Sequence, residues 1–393
     1  MTNNIKPIIG KVFNDIADAI ESGQFGEKTK VGITTVGSEL GIYNVIKGAE
    51  LAQKRDKSIE VVLIGPKVDS SLTQVVVNTE DEAYIKMEEL LDSGEIGACI
   101  TMHYNFPIGV STVGRVPAPA NGKEMFVATT TGTSSTDRIE AMILNGINGI
   151  ITAKAMGVEK PTLGILNVDG ARQVERAFKE LNDKGYLIKF AQSQRSDGGY
   201  LMRGNDLLSG VADIMITDTL TGNIIMKIFS AYTTGGNYET LGYGYGPGIG
   251  EDYNRIILIL SRASGIPVVA NAISYGAELV KGNIHEVIKK EYEDANKYGL
   301  KNILEKNKSD KKASKKDEEE IIMPSEEIVT ETISGIDILE LDEAVSELLK
   351  SGVYAKTGMG CTGPVVMVNE RRLEESKDIL CKAGYSVEGR SIC

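Results

Sequence analysis

The sequence predicts an α/β chain, a three-layer αβα sandwich around a mostly parallel sheet. Short and nearly continuous apolar runs alternate with segments of helical period. That is the pattern of strands covered by helices on both faces. The clearest unit is a strand at Val31 to Thr35, a turn through Val36-Gly37-Ser38, a helix with Ile42, Val45, Ile46, Ala49 and Ala52 inward, and a strand at Val61 to Gly65. At 393 residues the chain is long enough to bury a large core.

Taken in order, Asn14 to Ser22 has helical period, with Phe13, Ile16, Ala17 and Ile20 on one face. After the first unit, apolar runs bounded by turn residues predict strands at Gln74–Val77, Ala98–Met102, Met125–Thr129, Thr162–Val168, Leu187–Phe190, Ala212–Thr217 and Ile266–Ala270. Between them, Glu82–Leu91, Arg138–Met156, Ala171–Lys184 and Ile224–Tyr232 read as helices. In such folds ligands collect beyond the strand carboxyl ends.

Composition changes at Lys301 to Glu331, where a lysine run precedes Asp317-Glu-Glu-Glu and little can be buried. The expected organisation is an α/β body over 1–300, a charged linker or surface excursion over 301–335, and a C-terminal segment over 336–393 that packs back on the body. That last segment reads as a helix at Ile336–Leu349, a strand at Pro364–Val368 and a helix at Glu370–Ala383, with Tyr385–Glu388 as a final strand.

A formal charge of −12 argues against a nucleic-acid or anionic-membrane surface, since either needs a basic face. Met1 to Gly23 does not resemble a signal peptide, and no apolar run reaches membrane length. Cys99, Cys361, Cys381 and Cys393 show no disulfide-like spacing and read as reduced thiols. A soluble, cytoplasmic protein is expected. With only His103 and His285 available, a histidine-based metal site or a Ser-His-Asp triad has few members, and no metal is expected.

Two stretches carry chemistry. Thr357-Gly-Met-Gly-Cys361-Thr-Gly-Pro364 places a cysteine between glycines before an apolar strand. A glycine-rich loop can converge several N–H groups on one point, which lowers a thiol's pKa and binds an oxyanion. The alternative is a small buried residue beside a tight turn. The second stretch runs from Arg203 to Lys227. There a strand ends at Asp218, and Gly222-Asn223 is expected at the start of a helix that carries Lys227. A helix start suits a phosphate, and Lys227 adds a point charge; alternatively, Asp218 caps the helix and Lys227 is solvated.

The Gly204–Lys227 run resembles the signature of the PlsX-type phosphate acyltransferases. Val36-Gly37-Ser38, Lys47-Gly48-Ala49, Val61–Gly65, Ser93–Ala98, Phe126–Thr130 and Leu163–Asn167 agree with that family in order. The resemblance implies the PlsX/phosphotransacetylase fold, which is isocitrate/isopropylmalate dehydrogenase-like. The departures point to one branch: Cys361 stands inside the closing loop, and Asn369-Glu370 replaces the family's His-Gly. That context is similar to the alpha subunits of component C of glycine/sarcosine/betaine reductase complexes.

The resemblance implies that a selenoprotein partner, protein A of such a complex, brings a carboxymethyl group that becomes an acetyl thioester on Cys361. Inorganic phosphate, a substrate and not a bound cofactor, then releases acetyl phosphate. The N–H groups of Gly360, Thr362 and Gly363 are the candidate oxyanion hole. Asp218, Gly222, Asn223 and Lys227 are the candidate phosphate site. Further pocket candidates are His103, Asn105, Thr130, Asn271 and Ser274, with Gly242 to Gly250 either a lid or partner-contact loop or an ordinary mobile loop. A ketoacyl-synthase-like beta subunit is the second expected partner, within an oligomer. Two readings compete: direct acyl transfer to phosphate without Cys361, and a non-catalytic scaffold subunit.

Overall fold

Among the described residues fifteen strands carry the architecture, and the alternation of side chains along the strand Ile59–Gly65 already shows the layers. The computed structural model describes residues 27–195, 198–307, 323–336, 340–360, 363–385 and 387, with Gly10, Val12, Phe13, Ile16, Ala17 and Ile20 near the start. Those six positions are helical, and Phe13 and Ile20 are exposed. Two compact units result, Met1–Leu304 and Glu305–Cys393.

In the first unit β1 (Thr29–Thr34) pairs in parallel with β2 (Ile59–Gly65). β3 (Thr73–Val76) extends that side and β4 (Ala98–Thr101) lies on the other. β5 (Val110–Pro117) and β6 (Glu124–Thr133) form an antiparallel pair. β7 (Thr162–Leu166), β8 (Lys189–Phe190), β9 (Leu201–Met202) and β10 (Ile214–Ile216) add parallel strands beyond β6. β11 (Gly246–Ile249) and β12 (Ile257–Ile259) join the halves, giving one sheet ordered β3-β2-β1-β4-β12-β11-β5-β6-β10-β7-β8, with β9 on β7. Val61 and Leu63 pack with helices Ile42–Arg55 and Ile266–Lys281, whereas Val62 and Ile64 face helix Glu80–Asp92. A period of two along a strand puts alternate residues on opposite faces, so the sheet is covered twice.

Arg115 on β5 ties this frame together. Its guanidinium lies 4.1 Å from the Tyr243 ring centre and pairs with Glu278 of helix Ile266–Lys281 at 2.8 Å, while Glu124 of β6 takes its other edge.

Three sequence expectations fail here for identifiable reasons. Ile266–Ala270 is not a strand. It opens helix Ile266–Lys281, with a proline in the first turn and Val268, Val269, Ala270, Ala272 and Ile273 all buried. A continuous apolar run cannot distinguish a buried helix from a buried strand; the strand is β12, ten residues earlier. Gly242–Gly250 is not a lid. Tyr245 to Gly250 are buried, and a Cβ at Gly246 would stand 1.8 Å from the Val113 carbonyl oxygen. Its glycines allow the backbone of the central strand β11 to approach β5 closely. The helix expected from Ile224 begins at Thr219.

Residues 300–307 are helical, and Leu300 and Ile303 are buried in the core of the first unit. The second unit holds an antiparallel sheet of β13 (Glu331–Ile333), β14 (Ala355–Gly360) and β15 (Gly363–Val368), ordered β13-β15-β14. Helices Leu341–Lys350 and Leu373–Lys382 complete a core that includes Ile333, Ala344, Leu348, Val366, Val368, Leu380 and Cys381. Among the described residues, no helix of the chain is long and apolar enough to cross a membrane.

Candidate active site

A cleft of about 560 Å³ opens in the first unit where the loops leaving β4 and β12 meet the end of β6 and the helix Thr219–Ala231. The β4 loop contributes His103, Tyr104, Asn105 and Phe106; the β12 loop contributes Ser261 and Arg262; the helix contributes Asn223 and Lys227. Such a junction of strand ends is where open α/β sheets place ligands.

Local bonds hold each wall. Thr34 Oγ1 donates to Thr101 Oγ1 at 2.9 Å, and Thr101 Oγ1 lies 3.2 Å from the His103 carbonyl oxygen, which fixes the turn after β4. Tyr104 and Phe106 meet edge to face at 5.0 Å, and the Tyr104 hydroxyl donates to Glu88 at 2.6 Å. Burial, reinforced by that carboxylate, pushes the Tyr104 phenol above its ordinary range, so it stays a neutral donor. Tyr245, on the opposite side, is likewise pushed up by burial and by Glu239.

The residues expected to bind phosphate separate into two pairs. Asn223 and Lys227 line the cleft; the Asn223 amide donates to the Thr130 carbonyl oxygen at 3.0 Å and Lys227 Nζ lies 3.5 Å from Ser261 Oγ. Asp218 and Gly222 do not line it. Asp218 is the N-cap: its carboxylate accepts from the Thr221 N–H at 3.1 Å and from Arg138 at 3.1 Å. A carboxylate already occupying the helix start opposes a second anion there. Gly222 is buried in the first turn, where a Cβ would stand 1.8 Å from the Thr129 carbonyl oxygen. Its small size serves close packing on β6.

The remaining candidates also divide. His103 and Asn105 line the cleft. Thr130 is fully buried behind its wall, donating to the Tyr245 carbonyl oxygen at 2.6 Å. Asn271 and Ser274 stand within helix Ile266–Lys281, bonded to Gly242 and Ala270, and do not line the cleft. Their misplacement follows from reading that helix start as a strand. Sequence reading missed Glu39, Tyr245, Ser261 and Arg262. The signal for the last two was the apolar run Ile256–Leu260 ending abruptly in Ser261-Arg262.

In the second unit the residues on either side of Cys361-Thr362 pair as an antiparallel ladder. Gly358 pairs with Val365, Met359 with Pro364 and Gly360 with Gly363, so Cys361 and Thr362 are the two connecting residues. Cys361 and Thr362 themselves lie outside the described residues, as does Cys393. Cys99 and Cys381 are buried, and burial pushes the Cys99 thiol far above its ordinary value. Among the described residues, no group of three or more His, Cys, Asp or Glu side chains is placed to hold a metal ion.

Residues 29–367 match the model of a family described as "Fatty acid synthesis protein". The chain is 62% identical over 383 residues to the glycine/sarcosine/betaine reductase complex component C subunit alpha of Peptoclostridium acidaminophilum, covering 97% of this chain and 99% of that one. A phosphate acyltransferase of Thermotoga neapolitana is 26% identical over 227 residues, covering 50% of this chain and 68% of the relative. The crystal structure of a branched-chain phosphotransacylase from Enterococcus faecalis matches at 17% identity and a TM-score of 0.47, covering 64% of this chain and 98% of that one.

Proposed function

The chain belongs to the fatty acid synthesis protein family, beside the component C alpha subunit that it matches over nearly its whole length, and on that footing we propose that it forms acetyl phosphate within a glycine/sarcosine/betaine reductase-type complex. The single observation that carries the reading is that near-complete match. The relationship to phosphate acyltransferases supports acyl transfer as the chemistry.

A carboxymethyl group arrives on the selenium of a selenoprotein partner. Its carbon–selenium bond breaks as selenium bonds to a partner cysteine sulfur, so selenium is oxidised and the transferred carbon is reduced to a methyl group. Cys361 bonds to the carboxyl carbon, and the two thiols and the solvent supply three protons, of which one completes the methyl group and two leave with a carboxyl oxygen as water. Phosphate oxygen then attacks the thioester carbonyl, acetyl phosphate leaves, and Cys361 recovers its proton. A covalent intermediate divides one difficult conversion into two transfers.

Cys361 is the proposed acyl carrier, and the N–H groups of Gly360, Thr362 and Gly363 are the proposed oxyanion donors. Lys227 and Asn223, facing the cleft, are the proposed phosphate ligands. The proposed partners are the selenoprotein and the beta subunit. Arsenate tests the reading, because an acetyl arsenate product hydrolyses at once. The chain with its beta partner should consume acetyl phosphate only when arsenate is present, and Cys361→Ser should abolish this. Arsenate-dependent consumption that survives Cys361→Ser would favour direct transfer, the reading that the phosphate acyltransferase relatives support.

A further inference from the structure

A buried carboxylate stands behind the cationic wall of the cleft. Glu239 is 2% exposed. Its backbone is fixed on both sides, with its N–H donating to the Ala263 carbonyl at 2.9 Å and its own carbonyl accepting from the Gly265 N–H at 2.8 Å. One carboxylate oxygen accepts from the Tyr245 hydroxyl at 3.0 Å and the other from the Ser264 hydroxyl at 2.9 Å. Among the described residues, Lys227 is the one cation in ion-pair reach, with Nζ 3.9 Å from Glu239 Oε1. A buried carboxylate is costly without a counter-charge.

The pair is asymmetric. Glu239 is locked, whereas the Lys227 side chain is 58% exposed and would otherwise sweep through many rotamers. The loop that carries Glu239 is also tied to the end of Lys227's own helix, since the N–H groups of Thr240 and Leu241 donate to the Ser230 carbonyl at 2.8 and 3.2 Å. The carboxylate is therefore the fixed member and the ammonium the member it locates. The Tyr245 ring, 5.9 Å from Nζ, and Ser261 Oγ, at 3.5 Å, converge on the same position.

The distance has a chemical consequence. At 3.9 Å the carboxylate attracts the ammonium without accepting a hydrogen bond from it. Lys227 has three donors, and its long contact to Ser261 engages one of them. The others are left for a ligand in the cleft.

We infer that Glu239, supported by Tyr245 and Ser264, is the positioning residue that holds the Lys227 ammonium at the cleft wall for an anion. The inference rests on the reading of the cleft as a phosphate site. A double-mutant cycle on the full chain tests it, with inorganic phosphate affinity measured by calorimetry. Lys227→Ala should weaken phosphate binding about tenfold, and Glu239→Gln about threefold to tenfold. In the Lys227→Ala background, Glu239→Gln should have no further effect. Ser264→Ala leaves the carboxylate in place but removes one of its hydroxyl partners. It provides a milder second variant, with a smaller weakening that also disappears without Lys227.

If Lys227→Ala weakens binding but the Glu239→Gln and Ser264→Ala effects are absent, or persist in its background, positioning is overturned and the phosphate site stands. Unchanged affinity in Lys227→Ala overturns the phosphate reading of the cleft, and the inference with it.

Discussion

Gly360 and Gly363 face each other as register partners at the end of the β14–β15 hairpin, with Cys361 and Thr362 between them. Cys99 and Cys381 are enclosed in packed cores. A thiol reagent under native conditions should therefore leave Cys99 and Cys381 unmodified and modify them only after unfolding, as peptide mass spectrometry would show. Rapid native labelling of either would contradict their burial.

Gly222 separates packing from ligand binding. A Cβ placed 1.8 Å from the Thr129 carbonyl oxygen has no flexible side chain to displace, because the obstacle is backbone. Gly222→Ala should cost about 1–3 kcal/mol or more in a urea titration. A variant of unchanged stability would mean that this turn does not press on β6.

Asp218 makes the opposite test. Asp218→Ala removes the cap on the Thr221 N–H and the partner of Arg138, at an expected cost of about 0.5–2 kcal/mol. Phosphate affinity should stay within about twofold of the parent, because the carboxylate lies outside the cleft and nothing in its cap depends on the ligand. A large loss of affinity would return the helix start to the phosphate site.

Asp206 sets a pH dependence. It is buried, which alone would raise its pKa. The N–H groups of Arg203 and Gln194 and the Ser193 hydroxyl outweigh burial and hold the carboxyl below its ordinary range. With a folded-state value below the unfolded one, the stabilisation is fully present at neutral pH. It is lost as pH falls below about 4 and through the folded value. Asp206→Asn should destabilise by about 1–3 kcal/mol at neutral pH, and the gap to the parent should narrow in acid. Urea midpoints at neutral pH and at about pH 3 would show it; a constant gap would contradict the titration.

Where the sequence carried a local pattern, the fold was legible. The alternation of β1, helix Ile42–Arg55 and β2 follows from apolar spacing alone, and the motif around Asp218 to Lys227 led to both residues that the helix gives the cleft, Asn223 and Lys227. What was illegible depends on distant partners. Gly246 reads as part of a loop and Gly222 as part of a helix start, yet each is glycine because another backbone passes within contact distance. Ile266–Ala270 reads as a buried strand because Val268, Val269 and Ala270 of the helix it opens are consecutive and all buried. Ser261 and Arg262 reach the cleft only because β12 lies next to β4, a neighbour relation that joins residues more than 150 positions apart. Glu239 could not be paired with Lys227 from spacing, since the loop between them folds back on the helix.

The most direct test of the account is peptide mass spectrometry of the full chain after incubation with acetyl phosphate, in the reverse direction of the proposed reaction. A thioester intermediate requires an acetyl group on the Cys361 peptide, discharged by phosphate or arsenate and absent from Cys361→Ser. Turnover of acetyl phosphate with Cys361 unlabelled throughout, and undiminished in Cys361→Ser, would contradict it.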